Sequence, residues 1–256
     1  MTIVVAHRGA SRHRPENTLP SFALGVEQGA DAIELDLHVS ADGQLVVIHD
    51  DTLERTTDMT GAVAGLTLDA IRRADAGATF AADDGSLPFR GTGLIIPTFA
   101  EVLDWLPDGI GLVVEIKARA AVAPAVDALR RHPVRAAGRA SLISFDERAI
   151  EESRALDPDL PTGYLLVPGQ PFEPALRYAV EHLHPAVHPW EGDLGMDPAP
   201  MIAQAQAYGR DLGCYVVNDP ERMQLLAAYG LWGFVTDVPD VARAALPRAP
   251  LPPAGA

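Results

Sequence analysis

The sequence predicts an α/β chain closed into an eight-stranded (β/α)8 barrel, with a small insertion after the second strand region. Three observations point there: short β-type runs alternate with helical patterns, about eight of the runs can be parallel strands, and 256 residues are available to hold them. Eight parallel strands in about 250 residues is the arithmetic of a closed barrel, whereas an open doubly wound sheet needs fewer strands and leaves edges. With 48% apolar and 21% charged residues the chain can bury a core.

In order, the strand runs are read over residues 3–6, 32–39, 45–48, 111–116, 141–145, 163–167, 186–188, 214–217 and 233–236. Helical spacing fills 20–28, 99–105, 121–131, 147–156, 174–181, 198–208 and 220–229, each about three turns long. Nine runs for eight places leave one extra. Ser40-Ala41-Asp42-Gly43-Gln44 joins the second and third runs, and Asp-Gly marks a tight turn, so the run at 45–48 is expected as an accessory hairpin strand. From 51 to 97 the pattern dissolves into Gly, Asp and Thr with one possible helix at 68–74, too long for an ordinary loop. The expected organisation is therefore one domain over 1–246, including 51–97 as an insertion over the barrel mouth. Four prolines in the last ten residues predict a disordered tail over 247–256.

A formal charge of −15 repels nucleic acid and anionic lipid surfaces, and no basic stripe offsets it. The chain has no run of about 18 apolar residues and passes from Met1-Thr2 straight into Ile3-Val4-Val5-Ala6. No stable membrane insertion and a cytoplasmic location are the expectations. The single cysteine, Cys214, excludes an internal disulfide and a cysteine-based zinc site. The sequence is silent on self-association.

Barrel chemistry sits at the C-terminal ends of strands, and here four consecutive ends carry charge: His7-Arg8-Gly9, Glu34-Leu35-Asp36-Leu37-His38, His49-Asp50 and Glu115-Ile116-Lys117. Side chains two apart share a strand face, so Glu34 pairs with Asp36, and Glu115 with Lys117, while Leu35, Leu37 and Ile116 point into apolar packing. Three carboxylates in one barrel mouth need a compensating cation. An all-oxygen set suits one divalent cation, Mg²⁺ or Ca²⁺; structural ion pairs with Arg8 and Lys117 are the alternative. His38 shares that face as a further ligand or as a polar mouth residue. His7 and His49 flank the cluster, where two imidazoles can give and take a proton on opposite sides of one reacting centre. Arg8 offers a planar fork and Lys117, the only lysine, a point charge, both suited to an anionic oxygen. Phe145, Trp190 and Tyr215 lie near strand ends, as substrate contacts or as core.

These residues resemble the glycerophosphodiester phosphodiesterase family. The resemblance is carried by Ala6-His7-Arg8-Gly9, Pro15-Glu16-Asn17-Thr18, Ile33-Glu34-Leu35-Asp36-Leu37-His38-Val39, Ile48-His49-Asp50 with Arg55-Thr56-Thr57, Glu115-Ile116-Lys117 and Val235-Thr236-Asp237. It implies a distorted triosephosphate-isomerase-type barrel that hydrolyses a small-molecule phosphodiester to glycerol 3-phosphate and an alcohol. By resemblance Glu34, Asp36 and Glu115 match the metal ligands, His7 and His49 the acid and base, and Arg8 and Lys117 the phosphate contacts. Asn17 is expected to order the loop after the first strand. Tyr215-Val216-Val217-Asn218 departs from the family's Trp-Thr-Val-Asn, keeping an aromatic and losing a hydroxyl. A lysophospholipase D acting on monoacyl lipids is the alternative reading. A zinc amidohydrolase would want a His-x-His pair on the first strand, and a non-catalytic phosphometabolite binder would tolerate losses from the charged set; neither fits.

Overall fold

Strand β1 (Ile3–Ala6) runs parallel to both β2 (Ala32–Val39) and β9 (Gly233–Thr236), and this double pairing closes the sheet. The computed structural model describes residues 1–246; the expected disordered tail lies outside the described residues. From β2 the parallel sheet continues through β4 (Gly111–Ile116), β5 (Ala140–Ser144), β6 (Thr162–Leu165), β7 (Ala186–His188) and β8 (Asp211–Cys214) to β9. The accessory strand β3 (Leu45–Val47) lies antiparallel on β2, with Leu37 opposite Val47 and Val39 opposite Leu45, as the Asp-Gly turn predicts. The barrel is thus eight parallel strands with one appended hairpin strand.

Helices wrap the outside: α1 (Leu19–Glu27), α3 (Phe99–Trp105), α4 (Val122–Arg131), α6 (Glu147–Leu156), α7 (Phe172–Glu181), α8 (Ala199–Ala207), α9 (Pro220–Ala228) and α10 (Pro239–Ala245), with short α2 (Leu68–Ile71) and α5 (Pro133–Ala136). Strand alternation sorts the core into two layers. Ile33, Leu35, Leu37, Leu112, Val114 and Ile116 face outward and pack with Phe22, Phe99, Val126 and Leu129 from the helices. Val5, Val113, Ile143 and Leu165 fill the barrel interior. Parallel register sets Asp36 beside Glu115 and Glu34 beside Val113, so the acidic side chains of β2 and β4 rise from one inner surface. The segment between β3 and α3 forms its own apolar cluster around Leu53, Val63, Ile71 and Ile96. It is tied back to the barrel by Val47 N–H donating to the Pro97 carbonyl (2.9 Å).

The eighth strand departs from expectation. Residues 214–217 were expected as a strand from their β-branched and aromatic content, but pairing occurs over Asp211–Cys214, with Gly213 beside Gly233 and Cys214 beside Phe234. Asp and Gly are poor strand formers in isolation, and here neighbouring strands on both sides impose the conformation. Tyr215 is thereby released to the barrel mouth. Strands β5 and β6 start one residue earlier than expected, and β5 ends at Ser144, which leaves Phe145 past the strand end. Helices α5 and α10, each with proline in its first turn, were not expected.

Candidate active site

The chain leaves β1 through a left-handed turn, with φ of 54° at Arg8 and 90° at Gly9. A Cβ at Gly9 would lie 2.4 Å from the carbonyl carbon of Ser21, so the position admits only glycine. Left-handed backbone at an arginine is uncommon and is held only where surroundings impose it. Here it aims the Arg8 N–H at Glu34 Oε2 (3.0 Å) and brings the guanidinium to Glu16 (2.8 Å) and to within 3.2 Å of Asp36.

Glu34, Asp36 and Glu115 each offer an oxygen within 4.8 Å of the others, and all three are buried. Burial first, then the charges of Asp36 and Glu115, push Glu34 well above the carboxylate range. Burial and then Asp36 raise Glu115 to about 7, against the pull of Lys117. Asp36 behaves differently: burial would raise it, but Arg8, His49, Lys117 and the Asn17 amide (2.8 Å) together hold it below its ordinary value. Its Oδ1 is buried without a hydrogen-bond partner.

The expected alternative of structural ion pairing is partly present. Lys117 Nζ reaches Glu115 at 2.8 Å and Asp36 at 3.9 Å. These pairs do not balance the charge. Five carboxylates (Glu16, Glu34, Asp36, Asp50, Glu115) meet three permanent cations (Arg8, Arg55, Lys117) in this connected set. The deficit of two is the charge of one divalent cation. The oxygen-only donors, the orphaned Asp36 oxygen and the two carboxyls driven upward all fit such an ion.

Each flanking histidine is tethered at Nδ1 by a carboxylate. His7 Nδ1 lies 2.6 Å from Asp237 Oδ1, and Asp237 also accepts from Ser11 Oγ (2.9 Å) and Asn218 Nδ2 (2.7 Å). Burial would raise Asp237, yet His7 and those two donors bring it to about 2. His49 Nδ1 lies 2.6 Å from Asp50 Oδ1, and its Nε2 lies 3.0 Å from Lys117 Nζ. An ammonium only donates, so Nε2 accepts and Nδ1 carries the proton donated to Asp50. Burial, with Arg8 and Lys117, lowers the His49 pKa against the opposing effect of Asp36 and Asp50.

These side chains open on a cavity of about 340 Å³, within the size range of small-molecule sites. His7, Arg8, Glu34, His49, Glu115 and Lys117 line it together with Phe145, Trp190 and Tyr215. Asp36, fully buried, meets Glu34 and Glu115 within 4.8 Å. His7, Arg8, Glu34, Asp36, His49, Glu115, Lys117, Phe145, Trp190 and Tyr215 thus come together at this cavity. Phe145 and Tyr215 meet edge to face at 5.8 Å, and Lys117 Nζ stands 5.8 Å from the Phe145 ring centre. His38 instead turns Nε2 to the His49 carbonyl (3.1 Å) and lies buried outside the carboxylate cluster. Asn17 orders the first loop by bonding the side chain of Asp36 and accepting from its backbone N–H (3.3 Å). The positioning carboxylates Asp50, Asp237 and Glu16 and the cation Arg55 had no assigned role in the sequence reading. The signal for Asp237 was its place one residue past the end of β9.

The model of the glycerophosphoryl diester phosphodiesterase family matches residues 7–241. The chain is 33% identical over 247 residues to the glycerophosphodiester phosphodiesterase of Caldanaerobacter subterraneus, covering 93% of this chain and 95% of that one. It is 32% identical to that of Bacillus subtilis, covering 93% and 84%. Among solved structures, an Oleispira antarctica phosphodiesterase in complex with the product sn-glycerol-3-phosphate superposes with a TM-score of 0.82 at 27% identity, covering 96% of each chain. A Silicibacter pomeroyi relative gives the same score and identity over 96% of this chain and 93% of that one. The fold agrees with this: the chain belongs to the glycerophosphoryl diester phosphodiesterase family.

Proposed function

We propose that the protein hydrolyses glycerophosphodiesters to glycerol 3-phosphate and an alcohol, in one catalytic domain over 1–246. The observation that carries this reading is the buried trio Glu34, Asp36 and Glu115 at a cavity that two carboxylate-tethered histidines also line. The trio would hold a Mg²⁺ or Ca²⁺ ion, which when bound supplies electrostatic stabilisation to the phosphate oxygens. Arg8 and Lys117 add fixed positive charge at the cavity wall, the kind of preorganised electrostatics that commonly provides the largest catalytic contribution. His49, with Nε2 free of a proton, accepts one from the incoming oxygen: attack by water gives glycerol 3-phosphate directly, whereas attack by the neighbouring glycerol hydroxyl gives a cyclic phosphate that water then opens. The bond from phosphorus to the alcohol oxygen breaks, and His7 donates a proton to that oxygen. Asp50 fixes the His49 proton on Nδ1, and Asp237, accepting from His7 Nδ1–H, supports the doubly protonated His7 ring that gives up its Nε2 proton. The aromatic wall excludes water and carries the glycerol or the departing alcohol. Headgroup recycling from deacylated phospholipids, in the cytoplasm, is the context this chemistry fits.

The test is release of glycerol 3-phosphate from glycerophosphocholine and glycerophosphoethanolamine, with and without EDTA. Metal-dependent turnover is expected; turnover indifferent to EDTA, or none with either substrate, contradicts the reading. A second reading, action on monoacyl phosphodiesters, draws on one observation: Phe145, Val167, Trp190 and Met196 stand exposed in the loops after β5, β6 and β7. The 340 Å³ cavity accommodates a headgroup while an acyl chain would lie outside along that rim. No helix of the described residues is long and apolar enough to cross a membrane. Adding lysophosphatidylcholine to the same panel decides between them.

The lowered pKa of His49 has a pH signature. A base works unprotonated, so kcat/KM falls as pH drops through its pKa. That acid limb is expected below the ordinary imidazole value of 6.5. A pH–rate profile whose acid limb lies at or above that value would remove His49 from this role.

A further inference from the structure

Resting on that reading, we infer that Arg55, contributed by the insertion, is a positioning residue that holds the base and the phosphate-facing arginine in register with each other. Arg55 lines no part of the catalytic cavity and touches neither histidine. Its guanidinium donates to two carboxylates at once: Nε and NH2 to Asp50 (2.7 and 3.0 Å), NH1 and NH2 to Glu16 (both 2.7 Å). Asp50 holds His49 and Glu16 holds Arg8. Beyond them the chain of contacts closes, since Arg8 reaches Asp36 while His49 meets Lys117, which reaches Glu115 and Asp36. Arg55 is the link that joins the two arms of this ring outside the cavity.

Exposed ion pairs are individually weak, and the Arg55 side chain is 46% exposed. This one differs in kind, because a planar fork satisfies two carboxylates bidentately and both are less exposed than their partner, at 20% and 26%. Arg55, more than His49, holds Asp50 far below the carboxylate range, so Asp50 stays an acceptor for the His49 proton. Without Arg55, Asp50 and Glu16 face solvent freely and each arm can rotate on its own. The insertion therefore sets the separation of two groups that must meet the same phosphodiester, which a lid passing over the mouth would not do.

The test is a mutant cycle on the full chain with glycerophosphocholine and saturating Mg²⁺. R55A is expected to lower kcat/KM about 10–100-fold, the usual cost of removing a partner that orients a ligand or catalytic group. R55K is expected to stay within about threefold of R55A, because a single ammonium cannot reproduce the fork. In the D50N/E16Q background R55A should cost less than about threefold, since its effect runs through those two carboxylates. A purely structural role would instead lower the melting temperature and leave the activity per folded molecule alone. Independently of turnover, the low-field ¹H NMR signal of the His49 ring N–H bonded to Asp50 should be lost to exchange in R55A. Parental kcat/KM in R55A, an undiminished cost in the double background, or a retained ring signal would each overturn the inference. If the parent itself turns over no glycerophosphodiester, the functional reading fails, and the ring signal still decides the role of Arg55.

Discussion

Glu115→Gln is expected to abolish Mg²⁺ and Ca²⁺ binding in a calorimeter and to lower kcat at least about 10²–10³-fold, the scale seen when one preorganised electrostatic contact is removed from a reacting centre. The substitution keeps shape and removes charge. Its effect on folding should be the reverse. Glu115 is held near 7 by burial and by Asp36, so between the ordinary carboxylate value and about 7 the folded chain binds a proton the unfolded chain has released. By linkage the metal-free protein loses stability as pH rises through that window. A divalent ion displaces the proton and restores the loss, so Mg²⁺ should raise Tm more at pH 8 than at pH 5 in the parent. In E115Q this metal-dependent increment should vanish, with the metal-free Tm at pH 8 equal to the parent's or higher. Asp36→Asn is the contrasting case. Arg8, His49 and Lys117 hold Asp36 below its ordinary value despite burial, so its removal leaves Arg8 with Glu16 and Lys117 with Glu115 as their remaining counter-ions and should lower Tm. A melting series at two pH values checks both, and an E115Q protein that still binds Mg²⁺ would take Glu115 out of the ligand set.

Sequence legibility differed by the range of the interaction involved. Glu34, Asp36, Glu115 and Lys117 could be paired in advance because strand periodicity alone decides which side chains share a face. Their cross-strand meeting needed only parallel neighbours, and register then set Asp36 beside Glu115. Most strand and helix bounds followed from the same periodicities. The eighth strand did not, because Asp211 and Gly213 are strand residues only between β7 and β9; propensity favoured Tyr215-Val216-Val217, of which Tyr215 and Val216 line the cavity and Val217 packs into the core. Long-range polar partners were the least visible. Asp237 and His7 are separated by 230 positions, and Arg55 and Glu16 by 39. Nothing local to a carboxylate says which distant donor it will meet. That Asp50 follows His49 in the chain did not reveal that it orients the ring, since adjacent side chains seldom face each other in extended backbone.

The two histidines should separate cleanly by leaving group. With glycerophosphocholine, His7→Ala and His49→Ala are each expected to lower kcat about 10²–10⁴-fold, the range for loss of a general acid or base. Replacing choline by p-nitrophenol changes the requirement: the nitrophenolate departs without a proton, while the incoming oxygen still has to lose one. H7A should therefore recover to within about tenfold of the parent on the nitrophenyl diester, whereas H49A should remain impaired on both substrates. Asp237→Asn should follow H7A at reduced amplitude, since Asp237 acts through the Nδ1 of that ring; Asp50→Asn should follow H49A for the same reason. The assignment rests on Lys117 Nζ at 3.0 Å from His49 Nε2, which requires a lone pair at that nitrogen. Rescue of H49A in place of H7A would exchange the two roles. Equal loss on both substrates in both variants would mean that neither ring meets the leaving oxygen, with proton supply coming from bound water.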